Sequence, residues 1–327
     1  MTIGKKDWAC EIGLLIYPDC QMSAIHGLTD LFRIAGEWAD GDVRRQVRVS
    51  HWRAGEDGEV TCVWDSHPNE SHRLGYVITP PSVVMPEKMQ SMPTEAAWLR
   101  ARHQDGSRVC SICAGAFVLA ESGLLKGRRV TTHWAFAKHL AERYQEIEVA
   151  DRNLVLDDGD VISAGGILAW TDLGLTLVER LFGRSTMLST ARFLVIQPPR
   201  ATQLPFTEFT PYFDHGDEAI LRVQHHIHAD LTASLNLDDL SELAHLGKRT
   251  FMRRFAKATS FTPTEYIQQT RVAKARGILE LNNRPLDQVA WEVGYKDPSA
   301  FSKIFQRISG ISASAYRHQF GVSPTQL

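Results

Sequence analysis

The stretch LDDLSELAHLGKRTFMRRFAKATSFTPTEY, residues 237–266, returns later in the chain as LDQVAWEVGYKDPSAFSKIFQRISGISASAY, residues 286–316. Each copy has a short apolar-periodic segment, a tight turn, and a second segment with phenylalanines four residues apart. This pattern is typical of a helix-turn-helix unit. The TPTE sequence at 262–265 is a capping-box pattern with proline at the first helical position, so it predicts a connecting helix to about Leu281.

Charge is distributed unevenly along the 327 residues, although the net charge is only −2. From Lys248 to the end there are 13 Lys and Arg against 5 Asp and Glu, a net of +8, whereas the preceding part carries 23 against 33, a net of −10. A basic C-terminal region indicates a polyanion as its partner. Together with the repeat, it predicts two helices in neighbouring major-groove segments of double-stranded promoter DNA, about 34 Å apart. A helical protein-interaction module is the alternative.

The first two hundred residues alternate strand-like and helix-like segments. WACEIGLLIY, GYVIT and SRVCSI are predicted strands, and NLVLDDGDVISAGG is a predicted hairpin with Asp-Gly turn chemistry. The alternation predicts an α/β flavodoxin-like doubly wound parallel sheet, followed by an all-α tandem helix-turn-helix domain. Four prolines interrupt the rhythm after residue 197. We therefore expect a sensor domain at 1–197, a linker at 198–216 and a DNA-binding domain at 217–327.

The sequence VCSICAGAF, residues 109–117, places Cys113 between a predicted strand and small residues that can open a helix. A thiol near the positive end of a helix is favoured as thiolate. VTTHW places His133 after another predicted strand, and carboxyl ends of strands share one edge of a doubly wound sheet. We therefore expect a crevice formed by Cys113, Ala114, Gly115 and His133, with the two backbone N–H groups at Ala114 and Gly115 able to hold an anionic group.

The C-terminal sequence GYKDPSAFSKIFQRISGISASAYRHQF resembles the signature of AraC/XylS-family transcription regulators, and the resemblance covers about residues 220–321. It implies base-facing positions at Arg249, Met252 and Arg253 in the first unit and at Ser299, Ser302 and Lys303 in the second. Two positions depart from the family pattern. His245 occupies a turn position where glycine is usual, and Gly247 replaces the usual capping serine, so the first unit is expected to be less rigid.

The sequence CAGAFVLAESGLLKGRRVTTHW resembles the PfpI-like branch of the class I glutamine amidotransferase superfamily, and in particular regulators of the GlxA type, which join such a domain to an AraC-type tail. Enzymes of this superfamily need a third, usually acidic, group besides Cys and His. In PDCQMSAIHGL the matching positions are Ser23 and Ala24. The resemblance therefore predicts no enzyme and no catalytic residues. A cysteine-dependent amidase or glyoxalase-like hydrolase with an accessory DNA-binding domain is the alternative.

The remaining expectations concern partners and location. The resemblance implies a small-molecule effector, such as an amino acid or a quaternary amine, and Trp134 or Trp170 could face a cation with its ring. We expect a homodimer formed through residues 1–197; a part that only dimerises and senses nothing is a third reading. Five cysteines and no apolar run of roughly 18–20 residues favour a cytoplasmic protein without a membrane span. The sequence indicates neither a metal site nor a cofactor.

Overall fold

Two sets of secondary structure follow one another along the chain, a mixed α/β set and then an all-helical set. The computed structural model describes residues 8–39, 46–233 and 235–322. It divides into two units, Met1–Gln203 and Leu204–Leu327, which we call the body and the tail. Within the described ranges, no helix combines the length and the hydrophobicity that crossing a bilayer requires.

The strands of the body form one large sheet and one small sheet. In chain order the strands are β1 Trp8–Ile16, β2 Gln46–Ala54, β3 Val60–Asp65, β4 Leu74–Thr79, β5 Arg108–Ile112, β6 Arg129–Val130, β7 Glu148–Val149, β8 Val155–Asp157 and β9 Val161–Ala164. The large sheet has the order β3-β2-β1-β4-β5-β9-β8, and β6 pairs with β7 separately. β3 and β8 are antiparallel to their neighbours and the five central strands are parallel. Counted among the parallel strands alone, the order is 2-1-3-4-5, which is flavodoxin-like, as predicted.

The helices of the body cover both faces of this sheet. They are α1 Met22–Glu37, α2 Pro93–Gln104, α3 Gly115–Glu121, α4 Ala137–Arg143, α5 Trp170–Phe182 and α6 Arg184–Leu194. Leu14, Leu15 and Ile16 are consecutive and all buried, as a parallel strand covered on both sides requires. Helices α1, α5 and α6 pack together, as do α2 and α3. The predicted hairpin is present as β8 and β9, with Gly159 at φ +86° in its turn.

The tail consists of seven helices within the described residues, two pairs of which are the predicted repeats. The helices are α7 Glu218–Ala229, α8 Leu237–Leu243, α9 Lys248–Thr259, α10 Pro263–Leu281, α11 Leu286–Glu292, α12 Pro298–Ser309 and α13 Ala313–Phe320. The predicted capping box is formed, because the Glu265 and Thr262 side chains each accept from the other's backbone N–H. Phe251 and Phe255 pack in one core, whereas Phe301 and Phe305 pack in a second core. Each pair therefore folds around its own aromatic core.

The segment predicted as a linker, 198–216, is shared between the two units. Arg200 forms an ion pair with the buried Asp172 of α5, with Nη2 and Oδ2 2.6 Å apart. The guanidinium of Arg276 in α10 donates hydrogen bonds to the carbonyl oxygens of Leu204 and Thr207. Arg200 therefore attaches the beginning of this segment to the body, and Arg276 attaches its middle to the tail.

Candidate functional site

Cys113 lies in a tight turn between β5 and α3. Its backbone has a φ of +54°, in the left-handed region, and its N–H donates to the carbonyl of Ala164 at 2.8 Å. Residue 115 is a glycine because a Cβ atom at this position would lie 2.4 Å from the carbonyl oxygen of Pro80 and 2.5 Å from that of Thr79. The strand-to-helix turn expected from VCSICAGAF is therefore present, and its glycine is required by close approach of the backbone.

The thiol of Cys113 is not activated by this turn. Cys113 is 2% exposed, and burial raises the pKa of its thiol to about 12. The backbone N–H of Ala114 lowers this pKa, but by less than burial raises it. Helix α3 has only seven residues and begins at Gly115, so its dipole does not offset the loss of hydration. Ala114 and Gly115 are buried as well. The expectation of a thiolate at Cys113 is wrong, because desolvation outweighs the helix end.

His133 reaches the neighbourhood of Cys113 by a different route from the one predicted. The strand before it, β6, belongs to the small sheet and not to the carboxyl edge of the large one. The link is instead through Thr132, whose hydroxyl donates to the carbonyl of Cys113 at 2.7 Å. His133 Nδ1 accepts from the N–H of Ala135, and burial lowers the pKa of its imidazole. Within the described residues, no hydrogen bond joins His133 to Cys113.

The two tryptophans considered for a cation have different environments. The Trp170 ring packs against Gly27 of α1, where an added Cβ would lie 2.4 Å from the ring. This close contact requires a glycine at position 27, and it shows that the Trp170 ring packs between helices. The ring of Trp134 lies 5.4 Å from that of His133, centroid to centroid.

Gln203, the last residue of the body, is bonded to the same loop as His133. Its side-chain amide donates to the carbonyls of Thr132 at 2.9 Å and Asp151 at 2.7 Å, and accepts from the N–H of Trp134 at 3.1 Å. Gln203 is 2% exposed. A continuous hydrogen-bonded path therefore runs from Cys113 through Thr132 to Gln203. Sequence reasoning missed this residue because a glutamine in a proline-rich segment carries no signal of burial.

A groove of about 590 Å³ opens beside the Cys113 turn, at the carboxyl ends of β1 and β2. Its lining includes Tyr17, Cys20, Arg53 and Glu95 but neither Cys113 nor His133. Tyr17 is buried and its hydroxyl donates to the carbonyl of Pro80 at 2.6 Å. Burial raises the pKa of Tyr17, and negative charge at Cys20 or Cys113 raises it further, so Tyr17 lies close to both thiols. The sequence did not indicate this groove, since its charged residues come from separate elements.

One cluster in the body has the composition of a metal site. Potential ligand atoms of Cys62, Asp65 and His72 all lie within 4.8 Å of one another. Asp65, however, forms an ion pair of 2.6 Å with the buried guanidinium of Arg48, and His72 Nδ1 lies 2.6 Å from a carboxylate oxygen of Glu11. A cation at this position would be repelled by Arg48 and would compete with it for Asp65. The arrangement therefore fits a buried ion-pair network.

In the first helix-turn-helix unit, α9 turns one face away from the aromatic core. Arg249, Met252 and Arg253 are exposed, Met252 by 42%. Lys248 forms an ion pair with Asp238, with Nζ and Oδ1 2.5 Å apart. The neighbouring Arg254 does not belong to this free face, because it makes a bidentate pair with Asp217, the N-cap of α7, at 2.7 and 2.8 Å. Arg254 therefore holds α7 to α9.

The second unit has a matching face on α12. Ser299, Ser302 and Lys303 are all exposed, whereas Phe301 and Phe305 face inward. The Ser302 hydroxyl is turned back and donates to the carbonyl of Pro298 at 2.9 Å. Helix α12 begins more firmly than α9, because the side chain of Asp297 caps its first N–H groups.

The turns of the two units differ in the way the sequence indicated. His245 adopts a φ of +54°, and its counterpart Gly294 a φ of +90°. Gly247 precedes α9 without a side-chain cap. The first unit thus carries a strained residue in its turn and an uncapped recognition helix, whereas the second has glycine and aspartate at these places.

Comparisons with known proteins match the two parts of the chain separately. The model described as a helix-turn-helix domain matches residues 240–326, and the DJ-1/PfpI family model matches residues 61–180. The crystal structure of Drosophila melanogaster DJ-1beta covers 57% of this chain and 98% of its own, with 19% identity and a TM-score of 0.45.

Curated relatives include transcriptional regulators and enzymes. The HTH-type transcriptional regulator CdhR of Pseudomonas aeruginosa is 28% identical over 72% of this chain and 66% of its own length, just under two-thirds. The HTH-type transcriptional regulator GlxA of Rhizobium meliloti is 27% identical over 68% of this chain and 69% of its own. Isonitrile hydratase of Pseudomonas putida is 37% identical over 62% of this chain and 84% of its own.

The two family models match the two parts of the chain in order, the DJ-1/PfpI model in the body and the helix-turn-helix model in the tail. The doubly wound body and the tandem helix-turn-helix tail agree with this division. The chain therefore combines a DJ-1/PfpI domain with an AraC-type helix-turn-helix domain, and its relatives include HTH-type transcriptional regulators such as GlxA.

Proposed function

We propose that this protein regulates transcription by binding promoter DNA through α9 and α12, and that its body binds a small effector without converting it. The observation that carries the proposal is the repeated exposure of one face on each second helix. Arg249 and Arg253 on α9 and Lys303 on α12 supply cations suited to guanine edges and phosphates. Two such helices in one tail can read two neighbouring major-groove segments.

The burial of Cys113 supports a body that binds rather than catalyses. A nucleophilic thiol must be deprotonated and within reach of a base. The pKa of Cys113 is raised to about 12, and no hydrogen bond joins it to His133 in the described part of the chain. The name of the Pseudomonas putida relative, isonitrile hydratase, is the reason to test turnover directly. We expect no hydration of an isonitrile, and no difference between the protein and its Cys113→Ala variant.

The body also supplies support for the proposed homodimer. Trp38 at the end of α1 and Phe193 near the end of α6 are both exposed, and their ring centroids are 5.8 Å apart. Val195 follows Phe193 by two residues and is also exposed. Exposed aromatic and aliphatic side chains in contact are typical of interaction surfaces. Light scattering should give a dimer for the protein and a monomer for Phe193→Asp; a monomer for both would remove this part of the proposal.

The DNA-binding part is tested with the full chain on a promoter fragment. Affinity should fall steeply as salt rises, because phosphate contacts release counterions. Arg253→Ala should weaken binding by roughly 1–3 kcal/mol and relax base preference at one position. Lys274→Ala, an exposed lysine of the connecting helix α10, is the matched control. Salt-independent binding, or equal losses for both variants, would contradict recognition through α9.

A further inference from the structure

The segment that opens the tail lies against the aromatic core of the first helix-turn-helix unit. We call residues 204–209 the brace. Phe209, its last residue, is half-buried and packs with this first core. The centroid of its ring lies 5.8 Å from that of Phe261 and 5.3 Å from that of Tyr266, edge to face in both pairs. This aromatic contact anchors one end of the brace in the first unit.

The other end of the brace lies against the second helix-turn-helix unit. Residues Leu204–Phe206 form a short 3-10 helix that contacts α12. The Phe206 ring meets that of Phe320 in α13 edge to face, with the two centroids 5.5 Å apart. Phe320 in turn packs against the second core. Two phenylalanines only three residues apart therefore contact different units.

Arg276 of α10 fastens the brace to the second unit. It is buried, and its guanidinium donates to the carbonyl of Leu204 at 3.0 Å and to the carbonyl of Thr207. Its Nε donates to the hydroxyl of Ser309, at the end of α12, at 3.1 Å. The guanidinium also lies over the Tyr316 ring of α13, 5.2 Å from the ring centroid. One cation thus joins the brace, α10, α12 and α13.

A second junction between the two units lies five residues earlier on α10. The carbonyl of Leu231, in the first core, accepts from Nη2 and Nε of Arg271 at 2.8 and 3.1 Å. A Cβ at Gly294, in the turn of the second unit, would lie 2.0 Å from the same oxygen. At 3.6 residues per turn, positions 271 and 276 are about 140° apart around the axis of α10. The two junctions therefore hold the second unit on different sides of α10 and together resist its rotation.

We propose that the brace, with Arg276 as its positioning residue, fixes the distance and the rotation between α9 and α12, and thereby restricts the tail to one spacing of its two DNA segments. The inference rests on the proposed DNA-binding function. Without the brace, the second unit is held from one side of α10 only and can turn about that junction. One base pair inserted between the segments separates them by about 3.4 Å more and rotates one by about 34°. A tail with fixed α9 and α12 cannot follow both changes.

The test uses the full chain and a duplex that it selects from a random-sequence library. Hydroxyl-radical footprinting locates the two contacted segments, and a second duplex carries one additional base pair between them. The measured quantity is the ratio of the dissociation constants for the inserted and the selected duplex. For the unmodified protein we expect a ratio of about tenfold or more, because the insertion displaces the base contacts of one unit.

Two substitutions connect this ratio to the brace. Arg276→Gln and Phe206→Ala should lower it severalfold, and should weaken binding to the selected duplex less than Arg253→Ala does. Phe206 is exposed, so its substitution keeps the test valid if Arg276→Gln does not fold. The matched control is Phe213→Ala, which removes an exposed ring that stacks on His225 of the first unit at 5.5 Å. This control should leave the ratio unchanged.

The proposal is overturned if the unmodified protein binds both duplexes equally, because nothing then fixes the spacing. It is also overturned if both folded variants keep the full ratio, even with weaker binding overall, since a residue that only stabilises the tail has that effect. An equal fall in the ratio for Phe213→Ala would overturn it as well. No salt-dependent binding of any duplex by the unmodified protein would instead overturn the proposed function, and this inference with it.

Discussion

Gln203 offers a direct test of how the end of the body is fixed. Replacing it with alanine removes two donated hydrogen bonds, to the carbonyls of Thr132 and Asp151, and one accepted from the N–H of Trp134. All three are made by a side chain that is 2% exposed, so water cannot easily replace the lost partners. The variant therefore leaves polar main-chain groups unpaired beside the Cys113 turn.

The expected loss follows from these bonds. A hydrogen bond contributes about 1 kcal/mol net, and each buried group left unpaired adds to that loss. Three bonds give a loss of about 3 kcal/mol in the free energy of unfolding of the body. For a unit of about 200 residues this lowers the melting temperature by roughly 6–12 °C. Gln203→Glu keeps the size but turns a carboxylate towards the carbonyls, so it should lose at least as much.

Urea unfolding of the full chain measures this loss. Tryptophan fluorescence reports mainly on the body, because seven of the eight tryptophans precede residue 204. Gln145→Ala, at an exposed glutamine of the same unit, is the control. A loss below about 1 kcal/mol for Gln203→Ala, or one equal to that of Gln145→Ala, would show that the amide network does not hold the segment.

Three further predictions concern other parts of the chain. In native protein an alkylating agent should label Cys62 well before Cys113, whose thiol is buried with a raised pKa; mass spectrometry showing Cys113 first would refute this. His245→Gly should raise the free energy of unfolding of the tail by roughly 0.5–1 kcal/mol, because glycine adopts the left-handed backbone conformation of residue 245 without strain. Gly294→Ala should lower it, because the alanine Cβ would lie 2.0 Å from the carbonyl oxygen of Leu231. A denaturant titration measures both changes. Burial, and secondarily His26, lowers the pKa of His51 to about 4, so the unfolded chain binds more protons than the folded chain between about pH 6.5 and 4. The free energy of unfolding should therefore decrease as pH falls through that window, by up to about 1.4 kcal/mol per pH unit. His51→Gln should make the free energy of unfolding less dependent on pH in this window.

Local rules were sufficient for most of the fold. The capping box at Thr262 and Glu265 depends on residues three apart, and the phenylalanine spacing depends on a single helical period, so both could be read directly from the sequence. The resemblance placed His245 at a turn position where glycine is usual, and this residue does adopt a positive φ. The parallel strand order followed from alternation and connection rules that need no side-chain detail.

Features that depend on distant partners could not be read in this way. His133 was expected at the edge of the large sheet, but β6 has only two residues and pairs with β7 instead. The helical spacing of Arg254 is compatible with the exposed face of α9, but its guanidinium forms an ion pair with Asp217. Glu95 and Arg53 are separated by two strands in the sequence, so only the folded sheet brings them to one groove.

The turn at Cys113 illustrates how a strained backbone can serve without a reactive thiol. A non-glycine residue in the left-handed region costs roughly 1–2 kcal/mol, and here the sulfur that the turn presents is almost fully buried. What the turn offers to its neighbours is its carbonyl, which accepts from Thr132, and the carbonyl of Thr132 accepts from Gln203. Gln203 is the last residue before the tail begins. If the proposed effector binds one arrangement of this path more tightly than another, it shifts the population of that arrangement, and this coupling requires peptide groups and hydroxyls but no charge on the sulfur.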